Sequence, residues 1–171
     1  MISIGSAPGF STHDATLARS LSNGAVPVGA SVTVSVRFRH TEPDVLRGFY
    51  YSDQIPSALI VDPVGVKVDG VSVDCTLEVG GSDDVYSGAT SYRWILEAPG
   101  FVQDNRINSN SVVEIVYQVT SAEVDTFSLD EFFWVGQFES SGDAAFGYSE
   151  AAEGQIITFG DSIPGTLLYG R

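Results

Sequence analysis

Cysteine occurs once, at Cys75, so no internal disulfide can staple the chain. Histidine occurs twice, at His13 and His40, far apart in sequence. One cysteine and two distant histidines make a poor ligand set for zinc. A Ser-His-Asp triad has no visible support either, since no G-x-S-x-G occurs and neither histidine lies in a suggestive context. Lysine occurs once, at Lys67, and Lys+Arg together number 8 against 22 Asp+Glu, for a net charge of -14. A chain so acidic is repelled by phosphate backbones and anionic lipid, which excludes nucleic acid and membrane surfaces as favoured partners. No apolar run reaches membrane-spanning length, so no membrane insertion is expected. The opening residues, MISIGSAPGFST, have neither the basic leader nor the apolar segment of a signal peptide. The chain is then either cytosolic or a fragment of a longer exported protein, and the second is expected.

What the sequence does have is alternation. An apolar share of 43% over 171 residues is enough to bury a core in one domain, and no stretch has the period of an amphipathic helix. In SVTVSVRFR, Val32, Val34, Val36 and Phe38 share one face, and Ser31, Thr33, Ser35, Arg37 and Arg39 the other. That is a strand with one buried and one wet side. In VGVKVDGVSVDCTLEV, Asp69-Gly70 signals a two-residue hairpin turn in which both central residues take positive φ. Pairing then sets Val68 against Val71, Val66 against Val73 and Val64 against Cys75, with all six on one face. Cys75 is accordingly expected to be a small buried hydrophobe; its acidic neighbours, Asp74 and Glu78, argue against a reactive thiolate.

Further strands are expected at Thr16–Leu21, Arg47–Ser52, Leu59–Val61, Ser91–Glu97, Val112–Thr120, Thr126–Leu129, Phe132–Phe138, Ala144–Tyr148 and Gln155–Phe159. Gly, Pro, Asn, Asp and Ser clusters separate them, and the sequence holds 18 glycines. Many short strands with regular turns predict a sandwich or barrel. The reading is a single domain over 1–171, with a core of about 16–159 and terminal connector segments.

These pieces fall in a familiar order. Pro27-Val28-Gly29 precedes the long alternating strand. Tyr51-Ser52-Asp53-Gln54-Ile55-Pro56-Ser57-Ala58-Leu59 follows, then the Asp-Gly hairpin, Tyr92-Arg93-Trp94-Ile95-Leu96, and Val113 to Val119. In this the chain resembles the immunoglobulin-like extracellular repeat domains of bacterial and archaeal surface proteins, a conserved repeat of unknown function. The resemblance covers about residues 16–120. It implies an all-β, immunoglobulin-like sandwich of two antiparallel sheets. It also implies an exported structural or adhesive module whose partners are other subunits or domains of the same surface assembly. Cell-surface members often carry a Lys–Asn isopeptide crosslink; Lys67, the only lysine, lies in a hairpin, so none is expected here. The pattern also turns Phe49, Tyr51 and Ile55 inward and Tyr50 outward, and Tyr92, Trp94 and Leu96 inward. Asp53 is expected to cap the turn at Ile55-Pro56.

Three kinds of ligand chemistry remain as candidates. Calcium would want acidic turns, and Asp83-Asp84 in GGSDDVYSG is the best candidate loop, followed by Asp104-Asn105 with Asn108. Neither matches the spaced calcium loop, and ordinary turn chemistry accounts for both. Polysaccharide would want exposed aromatics, for which Tyr50 and Trp134 are the candidates; a core role is the alternative for Trp134. That reading makes the protein a carbohydrate-binding module of a secreted glycan-active enzyme. A glycosidase pair could be drawn from Glu131, Glu139, Glu150 and Glu153, but a small sandwich offers no cleft for one. The chain is expected to be no enzyme.

Overall fold

The computed structural model describes residues 14–81, 87–96 and 106–161, with backbone alone over 148–154. The strands are β1 (Ala15–Leu21), β2 (Ala25–Pro27), β3 (Ser31–His40), β4 (Leu46–Pro56), β5 (Ile60–Val68), β6 (Val71–Ser72), β7 (Thr76–Val79), β8 (Ala89–Ile95), β9 (Val112–Thr120), β10 (Asp125–Phe138) and β11 (Ala144–Gly160). One sheet has the order β1-β3-β9-β5-β6, the other β2-β11-β10-β4-β8-β7. No helix occurs among the described residues.

Alternation decides which side of each strand meets the core. Val32, Val34, Val36 and Phe38 of β3 are buried beside Val113, Ile115, Tyr117 and Val119 of β9. From the facing sheet, β4 sends in Phe49, Tyr51 and Ile55, as expected, while Tyr50 is half-buried on the outer side. Each large apolar side chain moved out of water contributes about 1.5–3 kcal/mol. An aromatic layer fills the gap between the sheets. Phe38 lies 4.6 Å from Phe49 and 4.8 Å from Trp134, and Trp94 stacks on Tyr117 at 4.8 Å.

The hairpin turn forms where the sequence puts it. Asp69 and Gly70 have φ of 51° and 80°, and Val68 pairs with Val71 and Lys67 with Ser72. Val73 donates its amide to Val66 O at 3.0 Å, so that pair stands opposite as expected. Asp69 also accepts from Val112 N and Ser111 Oγ, which holds its carboxyl below the ordinary range.

Beyond that point the six-residue apolar face breaks. A bulge between Pro63 and Gly65 turns Val64 outward, 62% exposed. The second arm stops at Ser72 and crosses to the other sheet, where Thr76–Val79 pairs with β8. Val71 is therefore 66% exposed, and Cys75 is exposed rather than buried. Its thiol pKa is still pushed up, by partial desolvation and by the charge of Asp74.

Two other expectations change. The paired segments expected at 126–138 and 144–159 are single long strands, whose pairing shifts register between Leu129 and Glu131. Strand β2 was not expected, and it runs parallel to β11, so one edge departs from an all-antiparallel arrangement.

Candidate functional site

Among the described residues, alternation places Arg19 on the inner face of one sheet and Asp53 on that of the other, and the two meet. Leu17, Arg19 and Leu21 share the inward side of β1, and Phe49, Tyr51, Asp53 and Ile55 that of β4. Arg19 Nη1 donates to Asp53 Oδ1 at 2.6 Å, with both side chains fully buried. Asp53 Oδ2 accepts from Tyr51 OH at 2.7 Å and from Tyr117 OH of β9. Asp53 is thus a core residue and not the turn cap that its position before Pro56 suggested.

The guanidinium is satisfied around its whole edge. Nε donates to Gln155 Oε1 of β11 at 2.5 Å, and Nη2 to Leu129 O at 2.7 Å and Asp130 O at 3.3 Å. Those carbonyls lie where the pairing of β10 with β11 shifts register between Leu129 and Glu131 and the ladder is interrupted. Gln155 returns a bond of its own, from Nε2 to Arg19 O at 2.5 Å. Phe132 lies under the guanidinium at 4.2 Å from its ring centre. The cluster thereby joins β1, β4, β9, β10 and β11 across both sheets.

Burial works against the charge on Arg19, but Asp53 and the phenol oxygens of Tyr51 and Tyr117 hold its pKa above the ordinary value. Burial and then the charge of Asp53 push both tyrosines well above the ordinary phenol range. The cluster has no usable nucleophile: the arginine stays protonated, the phenols stay neutral, and the carboxylate is enclosed by donors. Its chemistry is that of a brace. Buried charges cost desolvation energy unless every polar edge is met, and here the edges are met.

The other candidates are placed as follows. Trp134 is 1% exposed and packs against Phe38 and Phe49, so it takes the core role and offers no face for a sugar. Tyr50 lies on the outer side with Arg93 over its ring at 4.3 Å and Phe133 at its edge. Asp83, Asp84, Asp104, Asn105 and His13 lie outside the described residues, and Asn108 is exposed. Among the described residues no group of three His, Cys, Asp or Glu could hold a metal. His40 is buried, with Nε2 3.0 Å from Ile107 O and its ring edge-on to Phe138. Glu139 is engaged by Arg106 at 2.9 Å and Arg47 at 3.7 Å. Glu131 is half-buried on β10, and the side chains of Glu150 and Glu153 lie outside the description. Sequence reasoning missed Arg19 and Gln155 altogether.

No protein-family model matches the chain, and no curated protein matches it in sequence. Among solved structures it is similar to the full-length major pilin SpaD from Corynebacterium diphtheriae, with a TM-score of 0.59 and 12% identity over 78% of this chain and 33% of that one. It is likewise similar to domains D2 and D3 of the same pilin, with a TM-score of 0.59 and 13% identity over 79% of this chain and 50% of that one. The chain spans about a third of the full-length pilin and half of the two-domain piece. At such identities the likeness is one of architecture: the chain is an all-β, immunoglobulin-like sandwich, built as the domains of these pilins are.

Proposed function

We propose that the chain is a non-catalytic structural module of a secreted or cell-surface assembly, working through contacts with other protein subunits or domains. The observation that carries this reading is the fate of the polar residues. The dense cluster around Asp53 is sealed in the core and fully hydrogen-bonded, so it braces the fold and is not offered to a substrate. The pilin-like architecture supports the same reading, since the similar proteins are subunits of pili by description. The polysaccharide alternative is left with Tyr50 alone, because the indole of Trp134 is buried.

The test measures solution mass by light scattering over a range of concentrations, with and without residues 1–13 and 162–171, and retention on insoluble polysaccharides. The expected result is no strong retention, and self-association that falls when the terminal segments are removed. A concentration-independent monomer retained tightly on polysaccharide, with retention lost in Tyr50→Ala, would overturn the reading in favour of a sugar-binding module.

A further inference from the structure

The brace around Arg19 links the strand that begins the described fold to the strand that ends it. Arg19 and Gln155 exchange two hydrogen bonds, Nε to Oε1 and Nε2 to the backbone O, both at 2.5 Å. The same arginine reaches Asp53 on β4 and the Leu129 and Asp130 carbonyls of β10. Strand β1 therefore cannot leave the sandwich without breaking hydrogen bonds to three strands of the other sheet, buried ones to β4 and β10 and part-buried ones to β11.

The backbone nearby has the matching geometry. After Ser22–Gly24 the chain enters β2, which lies parallel to β11 with Ala25 beside Thr158 and Pro27 beside Gly160. Thr158 N donates to Gly24 O and Val28 N to Gly160 O, both at 2.8 Å. When two parallel strands are drawn by opposite ends, they slide along each other. Bonds between them are then strained together and must break together. Bonds that unzip fail one at a time, under less force.

We propose that the Arg19–Gln155–Asp53 cluster is a tension lock, which keeps β1 against β11 when the module is pulled between its two ends. This rests on the structural-module reading, since a subunit held between neighbours in an assembly is loaded along that axis. It adds a function to the cluster: resistance to force in one direction, beyond its share of equilibrium stability.

The experiment is single-molecule force spectroscopy on the full chain, pulled along two axes. Asp14 and Asp161 are exposed and flank the described fold, so Asp14→Cys with Asp161→Cys, in a Cys75→Ser background, loads β1 and β11. The exposed native Cys75 with Asp161→Cys leaves β1 outside the loaded path. Gln155→Ala removes the exchange while leaving the Arg19–Asp53 pair in place. Gly136→Ala, which crowds Leu46, serves as a variant destabilised elsewhere.

Two part-buried bonds, one from a charged donor, set the expected effect at about tenfold in unfolding rate at fixed force along the end-to-end axis. Along the Cys75 axis the change should be less than about twofold on the same scale. Gly136→Ala should act on both axes alike. If Gln155→Ala speeds unfolding equally on both axes, or on neither, the lock is overturned and the cluster is a stabiliser only. The light-scattering result is independent of this outcome. Assembly with no directional effect counts against the lock alone, and a directional effect with no assembly counts against the module reading alone.

Discussion

Arg19 and Asp53 come from opposite sheets and meet at 2.6 Å in the centre of the sandwich, with neither side chain open to water. Each lies where alternation would ordinarily set an apolar residue. A buried ion pair of this kind gives little net stability over a hydrophobic pair of equal volume, because desolvation offsets the attraction. Removing one partner is a different matter, since it strands the other charge. The pair therefore makes its surroundings obligatory: Tyr51, Tyr117, Gln155 and the Leu129 carbonyl of β10 all have to be in place to satisfy it.

Alkaline pH should unfold the protein through its phenols. Burial and the charge of Asp53 raise the folded-state pKa of Tyr51 and Tyr117 well above that of an unfolded tyrosine, about 10. The unfolded chain then loses these protons first. The stability they contribute is complete below about pH 10 and falls as pH rises beyond it. In a titration of the ultraviolet phenolate band, two of the seven tyrosines should stay silent until a cooperative loss of structure. Smooth ionisation of all seven with the fold intact would contradict the burial of this pair.

Gly136 should resist enlargement. A Cβ there would lie 2.7 Å from Leu46 Cδ1 and 2.9 Å from its Cγ. Gly136→Ala should cost about 1–3 kcal/mol in urea unfolding, as overpacked cores do. Pairing it with Leu46→Val should recover part of the loss, and two costs that simply add would show that the crowding lies elsewhere.

Two glycines of the β5–β6 hairpin separate conformation from space. A Cβ on Gly70 or on Gly65 would meet nothing within 4 Å, but Gly70 has a φ of +80°. Gly70→Val should cost about 1 kcal/mol or more, because a β-branched residue resists that region. Gly65→Ala should stay within about 0.5 kcal/mol. Equal effects of the two in thermal unfolding would count against the turn geometry.

The fold was legible where side chains obeyed period two. The faces of β3 followed from alternation, the inward turn of Phe49, Tyr51 and Ile55 from the resemblance to surface-protein repeats, and the Asp69-Gly70 turn fixed its own register. Val64 was misplaced because it is itself the extra residue of a bulge, and Cys75 because the second arm leaves the hairpin after Ser72 for the other sheet; nothing local announces either. Asp53 was misread because an aspartate ahead of a proline is usually turn chemistry. The signal that could have found it was parity: it falls in step with Tyr51 and Ile55, as Arg19 does with Leu17 and Leu21. Two inward charges of opposite sign call for each other. Their meeting across the sandwich, and the arrival of Gln155 from the last strand, depend on topology that no local pattern carries.

The most direct test of the brace is a double-mutant cycle of Arg19→Met, Asp53→Asn and the two combined, followed by denaturant unfolding. The amide introduced by Asp53→Asn would keep an acceptor for the tyrosine hydroxyls, so the cycle isolates the charge pair. Each single variant should lose about 3–5 kcal/mol, because it leaves a buried charge unpaired. The combined variant should lose clearly less than the sum, with a coupling of about 2 kcal/mol or more. Losses that are small and additive within about 0.5 kcal/mol would mean that the two charges do not hold each other, and would contradict the account.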